Sequence, residues 1–260
     1  MTDRQRATAF LRETYRHRVD RVEIFPWGEL LVTPSLPRVY DASFALVDRW
    51  DGGAFDLHHE FDRIQGEHDF GHREVVSHDE ELAARLWPDL ESVDWPLRHR
   101  SLLLAQTRPP DRPADASIEI VDLAEDEWAR GKQAMSEAEG YDSDPEVPRQ
   151  LLDLDLRLAA AMNVLHFAAL VAGETASYAS LYIGAGVAQI EDVATLPAHR
   201  SRGLSRAVVL HAVTEAKRSG AELIFLVADE SDWPKELYGR LGFDAIGVEH
   251  VAGRAAAGDS

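Results

Sequence analysis

The chain has 260 residues, with 27 Lys+Arg against 46 Asp+Glu for a formal net charge of −19, and 45 % of its residues are hydrophobic. That length suits one large domain or two small ones with a real core, and the acidity argues against nucleic acid or an anionic membrane surface as partner, since both need a broad face of Lys and Arg. The absence of cysteine excludes disulfides, thiolate metal sites and a cysteine nucleophile together.

The opening "MTDRQRATAF" has no apolar signal core, and the longest apolar stretch, "LAAAMNVLHFAALVAG", is too short to span a bilayer and is interrupted by Asn163 and His166. A soluble, cytoplasmic protein is therefore expected. Ala7, Phe10, Leu11 and Tyr15 recur at helical spacing and predict a first helix, followed by short strands at "RVEIF" and "ELLVT". Beyond "FALVD" come a helix near 54–65, a strand "HREVVS", a helix "DEELAARLWPDL" and a strand "RSLLLAQT", a mixed α/β order. The proline-rich run "TRPPDRPADAS", which neither a helix nor a central strand tolerates, divides the chain into parts of about 110 and 145 residues.

The second part starts with a strand "SIEIVDL" and a helix entered through "AEDEWARGKQAMSEA". The turn-rich "GYDSDPEVP" and a helix over 149–163 follow. Three consecutive strands, "HFAALVAG", "TASYASLYIGAG" and "VAQIEDVAT", come next, the first two joined by a glycine-containing hairpin turn. "LSRAVVLHAVTEAKRSG" is an amphipathic helix stopped at Gly220, followed by a strand "ELIFLVA", a helix "WPKELYGRL" with Pro234 near its first turn, and a strand "FDAIG". Residues 251–260 read as a flexible tail. Each part contains a strand, acidic turn, aromatic-bearing helix and return strand, which suggests a duplication without proving one, because that unit is common.

Against the acidic background, "DVATLPAHRSRGLSRAVVL" packs Arg200, Arg202 and Arg206 around Gly203 just before an apolar helix. A helix start offers free N–H groups and partial positive charge, and a glycine there lets an anion approach the backbone. Three guanidinium groups converging on one point suit a diphosphate better than a carboxylate. The bland alternative is a turn glycine among solvated arginines. A Walker loop is ruled out by the missing Gly-Lys-Ser/Thr, and a Rossmann fingerprint by the missing glycines. His58, His59, His68, His72 and His78 crowd one stretch, but their spacing matches no zinc pattern, so a polar surface is expected rather than a metal site. His166, in an apolar strand, reads as a satisfied core residue, and the acidic turn at 228–233 as a solvated loop.

Two linked motifs carry a family resemblance. "VATLPAHRSRGLSRAVV", with Arg200-x-x-Gly203-x-Ser205 after a strand, resembles the acyl-CoA pyrophosphate loop of the Gcn5-related N-acetyltransferases (GNAT), and "ELYGRLGF" resembles that superfamily's closing helix-to-strand signature. The resemblance covers about 117–250. It departs at Ser205, where the family usually has Gly or Ala. The first part, through "GELLVTPSLPRVYDASFALVD" and "HREVVSHDEELAARL", more faintly resembles the N-terminal partner of tandem GNAT proteins, without a CoA loop.

The resemblance implies an α/β (α+β) fold with a mixed, mostly antiparallel twisted sheet flanked by helices in two halves: a degenerate one at 1–110 and a catalytic, acyl-CoA-binding one at 117–250. It implies acetyl-CoA as cosubstrate and no metal. Val193, Ala194 and Thr195 would meet the pantetheine arm through their backbone, and Arg200, Ser201, Arg202, Gly203, Leu204, Ser205 and Arg206 the diphosphate. Transfer to a lysine-like amine, neutral only about once in a few thousand molecules at pH 7, is penalised by about 4–5 kcal/mol, which a nearby base offsets. Tyr238 is placed where the thioester sulfur would lie and is the candidate acid, with a core aromatic as its plainer reading. Glu191 is the candidate base. Strand alternation puts Gln189, Glu191, Val193 and Thr195 on one face and Asp192 on the other, so only one of the two acids would face the cleft. The expected activity is acetyl transfer to a primary amine of a small molecule or peptide; the alternative is a catalytically silent acyl-CoA-binding or regulatory module. A homodimer is compatible with either.

Overall fold

The computed structural model describes residues 1–93, 95, 97–138 and 144–255, so residues 140–143 of the turn at 140–148 and the end of the expected tail, 256–260, lie outside it. The described residues form two compact units, one within 1–10, 103–228 and 233–246, the other within 11–102, 229–232 and 247–255. Each is a mixed α/β unit built on a mostly antiparallel sheet. No described helix is long and apolar enough to cross a membrane.

In the second of these units the strands run in the order β1 (Arg21–Phe25), β2 (Gly28–Val32), β3 (Ala45–Val47), β4 (Arg73–Ser77), then parts of β11 (Phe243–Arg254) and β5 (Leu97–Gln106). The period-2 alternation of β2 divides the core. Leu30 joins Leu57 and Phe61 of α2 (Ala54–Glu67) and Leu86 of α3 (Glu80–Leu90), while Leu31 joins Phe44, Leu46 and Val76. β11 runs on to Arg254, past the point at which a loose tail was expected. Its residues His250–Arg254 pair antiparallel with Ser77–Arg73, and Val251 and Ala252 are buried. Gly253 is required there, since a Cβ would lie 2.0 Å from the Arg73 carbonyl oxygen.

Glu74 of β4 has its carboxyl pushed up to about 8 by burial, with Asp41 and Glu249 adding repulsion. The folded state therefore holds a proton that the unfolded chain releases near pH 4.5, and stability falls as pH rises from about 4.5 through about 8. Glu74→Gln is expected to flatten that slope and to raise Tm most above pH 7. A thermal-melt series from pH 5 to about 9 in which the variant and the wild type keep parallel curves would exclude the effect.

In the first unit the order is β11, β5, β10 (Leu223–Asp229), β9 (Val187–Thr195), β8 (Glu174–Gly184), β7 (Asn163–Val171) and β6 (Ile120–Leu123). The hairpins β7–β8 and β8–β9 turn through Ala172-Gly173 and Ala185-Gly186, all four residues at positive φ, the twist-compatible two-residue turn. α6 (Leu204–Arg218) packs on one face of β7–β9, where His211 meets Phe167 edge-on at 4.8 Å. α4 (Glu125–Ala138) and α5 (Glu146–Ala161) cover the other, where Trp128 and Met135 pack on Tyr178. α7 (Pro234–Arg240) leads into β11.

The sequential halves repeat one order. β3–α2–β4–α3–β5 matches β9–α6–β10–α7–β11 element for element, and in both the first two strands pair parallel, β3 with β4 and β9 with β10. Parallel neighbours need a helical crossover between them, which α2 and α6 supply.

Candidate active site

β9 and β10 are hydrogen-bonded partners only from Val187↔Leu223 to Ile190↔Leu226. β9 continues to Thr195 with its other edge on β8, so the backbone of Glu191–Thr195 has no β10 partner. The two strands open into a wedge whose β9 side offers a strand edge unpaired with β10, the geometry that accepts an extended amide-bearing arm.

At the wide end of that wedge stands the start of α6. Gly203 is its N-cap in the left-handed region (φ 80°), and Ser201 precedes it at φ 61°. The first helical hydrogen bond runs from Ala207 N to Gly203 O (3.1 Å), so the N–H groups of Leu204, Ser205 and Arg206 have no carbonyl within the helix. A Cβ at position 203 would meet only Ile118, at 4.0 Å, so the approach to these groups is open. Thr195 Oγ donates to Ser177 Oγ (2.8 Å) and lies 2.7 Å from Ser205 Oγ, which ties the strand end to the helix start. Ser205 is therefore a structural link in the loop, which explains a hydroxyl at this position.

The three arginines do not converge as their spacing suggested. Arg206 is buried and donates to the Arg112 carbonyl (3.1 Å); burial, then Arg112 and Arg240, lower its pKa. Arg200 Nε donates to Thr195 O (3.2 Å), and Arg202 lies 2.9 Å from His199 Nδ1. The unbonded groups at this helix start are backbone N–H groups, and Arg200 and Arg202 are exposed charges beside them.

Alternation along β9 is also broken. Ser180 pairs with Glu191 and Tyr178 with Ala194, so Ala179 alone stands opposite both Asp192 and Val193. Asp192 takes φ 57° to make this bulge. Two consequences correct the simple pattern. Thr195 falls on the α6 face, bonded to Ser205, instead of beside Glu191. Asp192 comes round to the α4/α5 face, where its Oδ1 accepts Lys132 Nζ at 3.0 Å, while Glu191 shares that face through its pairing with Ser180 and accepts Gln189 Nε2 at 2.5 Å. Both acids face one side of the sheet.

Around them lies a largely buried polar group of residues, part-buried at Lys132 and Asp155, that composition alone does not reveal. Lys132 Nζ also donates to Asp155 Oδ2 (2.5 Å) and sits 5.4 Å from the Trp128 ring centre. His166 stacks on Trp128 (4.1 Å between ring centres) and lies 2.9 Å from Ser180 Oγ. Burial lowers its pKa to about 4, so it is neutral near pH 7. Tyr238 of α7 is 8 % exposed and meets Phe243 edge-on at 6.2 Å. Among the described residues no group of three or more metal-binding side chains gathers. The crowded histidines disperse instead: His72 Nε2 lies 2.6 Å from the Ser43 carbonyl oxygen, His78 Nε2 bonds Glu249 (3.0 Å) and His68 meets Glu23 (3.2 Å).

Residues 119–243 match the acetyltransferase (GNAT) family model. Among curated proteins none matches the sequence. Among solved structures, a GCN5-related N-acetyltransferase from Kribbella flavida is similar over 96 % of this chain and 95 % of its own, at 18 % identity and TM-score 0.61. A functionally unknown conserved protein from Staphylococcus epidermidis reaches TM-score 0.65 at 11 % identity, covering 88 % of this chain and 90 % of that one. A tandem GNAT protein from the clavulanic acid biosynthesis pathway covers 79 % of this chain and 70 % of its own, at 17 % identity and TM-score 0.54. Identities this low speak for a shared fold, and that fold extends over both halves. Residues 119–243 are thus a domain of the GNAT superfamily.

Proposed function

We propose that the protein is an acetyl-CoA-dependent N-acetyltransferase of the cytoplasm, acting on a primary amine of a small molecule or peptide. The observation that carries this is the wedge between β9 and β10, opening onto a helix start whose N–H groups are unused. The backbone of Val193, Ala194 and Thr195 is the edge along which the pantetheine amides would add as a strand. The N–H groups around Ser201–Arg206 would cradle the diphosphate, with Arg200 and Arg202 adding charge. Glu191 would take a proton from the acceptor ammonium, and the amine would attack the thioester carbonyl directly. Tyr238 would protonate the departing sulfur.

The first half is read as having lost this site. Its helix α2, which corresponds to α6, starts at Gly53 with φ −80°, and Asp56 Oδ2 accepts the Gly53 N–H at 3.0 Å. A carboxylate already occupies that helix start and would repel a phosphate. A structural or substrate-shaping role remains for this half.

The absence of cysteine allows CoA release to be followed with a thiol reagent without background from the protein. With acetyl-CoA and n-butylamine, Tyr238→Phe is expected to keep the acetyl-CoA Kd within about threefold and to lower kcat by about 10- to 100-fold. Unchanged kcat would make Tyr238 a core aromatic only. Binding without turnover in the wild type would favour the silent module.

A further inference from the structure

Building on that reading, we propose that the proton acceptor of the site is a carboxylate pair, Glu191 with Asp192, and that Lys132 and Asp155 are positioning residues that hold the pair in place. Four observations converge. First, Asp192 adopts the left-handed region although it is not glycine, a conformation that costs energy and is kept where the surroundings enforce it. The bulge it makes brings a second carboxylate round to the face occupied by Glu191. Second, only one oxygen of Asp192 is used: Oδ1 accepts Lys132, while Oδ2 is buried with no hydrogen-bond partner. Third, Gln189, 3 % exposed, donates to Glu191 but leaves its own Oε1 without a partner, so the same face holds a second unused acceptor. Buried polar atoms are normally satisfied, and two orphan acceptors, one an oxygen of the pair itself and one the neighbouring Gln189 Oε1, fit an incoming hydrogen-bond donor such as an ammonium. Fourth, Lys132 is clamped between Asp155 and Asp192 over Trp128, which fixes the Asp192 side chain from two helices.

The groups facing Asp192 are Lys132 of α4, Asp155 of α5 and Glu191 of β9, with His166 of β7 held neutral nearby. Burial pushes Asp192 up to about 6; Lys132 opposes this, and Asp155 and Glu191 reinforce it. Lys132 itself is disfavoured by burial but raised by the two carboxylates, which win, so it stays charged. In the reaction the pair takes one proton from R–NH3+. The freed lone pair forms the C–N bond, the C–S bond breaks with Tyr238 giving its proton to sulfur, and the second proton lost by nitrogen passes to solvent, from which the Tyr238 hydroxyl is restored. The products are amide, CoA thiol and one proton released from the pair.

The test is the pH dependence of kcat/KM with acetyl-CoA and n-butylamine, with acetyl-CoA binding measured in parallel. Asp192→Asn and Asp192→Gly both suit the left-handed backbone, so the bulge survives in each. Each is expected to lower kcat/KM by at least about 10-fold with the acetyl-CoA Kd unchanged, and Asp192→Glu to recover part of the loss. Lys132→Met is expected to move the acid limb of the profile up by about half a unit or more, and Asp155→Asn to move it down. A merely structural triad would change Tm without moving the limb in opposite directions. Wild-type turnover in Asp192→Asn with an unmoved limb in Lys132→Met would overturn the proposal. If the wild type transfers no acetyl group, the enzyme reading fails separately, and carboxyl carbon NMR then decides on the pair. Coupled titration of Glu191 and Asp192 that rises in Lys132→Met keeps it, and independent titration overturns it.

Discussion

Gly203→Glu is expected to bind acetyl-CoA at least about 100-fold more weakly than the wild type, a loss of about 2.7 kcal/mol by calorimetric titration. Two effects act together at the first residue of the cradle. A side chain at φ 80° leaves the conformation glycine occupies at no cost, and a carboxylate there takes the place of the anion that the open N–H groups of α6 would hold. Because only Ile118 lies within reach of a Cβ, at 4.0 Å, the fold itself should lose only about 1–2 kcal/mol, the cost of the backbone strain. Gly203→Asn separates the two effects: asparagine tolerates the left-handed region and carries no charge, so it should keep affinity within about 10-fold. Equal affinities in Gly203→Glu and wild type would mean that the cradle holds no diphosphate, and Arg200 and Arg202 would then be ordinary solvated charges.

Gly242→Ala should be the most destabilising single-methyl change in the second half, lowering ΔG of unfolding by about 3 kcal/mol or more. The new Cβ would lie 2.0 Å from the Arg108 carbonyl oxygen and 3.0 Å from that of Pro109, at φ 91°. Neither neighbour is the free end of a side chain. Thr107 N and Arg108 N both donate to Gly242 O, at 3.0 and 3.3 Å, so the proline-rich seam is bonded to the turn between α7 and β11. The Gly-Phe of the closing signature thus has a packing reason: glycine admits the seam, and Phe243 is buried against Tyr238. Gly239→Ala is the control. It sits in α7 with nothing within 4 Å and should gain about 0.5–1 kcal/mol. Denaturant midpoints of the two variants moving in the same direction would sink this account.

Local pattern carried the reading far. Period-3.6 and period-2 spacing located α1, α6 and the strands β7 to β9, since amphipathic faces are written into nearby residues. Gly173 marked a hairpin turn whose φ of 85° glycine adopts freely. Gly203 before an apolar helix was legible for the same reason, because the need for a missing side chain is local. Whether a strand runs on beyond its local pattern is not local: "VEHVAGR" is held in β11 by the pairing of His250–Arg254 with β4, residues far away in the chain.

By itself, then, the sequence determined the superfamily of the domain at 119–243, the order of strands and helices, and the position of the glycine turn that opens α6, because each rests on residue spacing within one or two adjacent elements. Tertiary structure decided the rest. It turned the Arg206 guanidinium away to the Arg112 carbonyl, since a buried charge goes to whichever partner packing places beside it. It assembled each unit from separate stretches of the chain, since strand neighbours are chosen by pairing and not by sequence order. It brought Asp192 onto the face of Glu191 through one extra residue in β9, and a bulge is visible only when the partner strand is in place to count against.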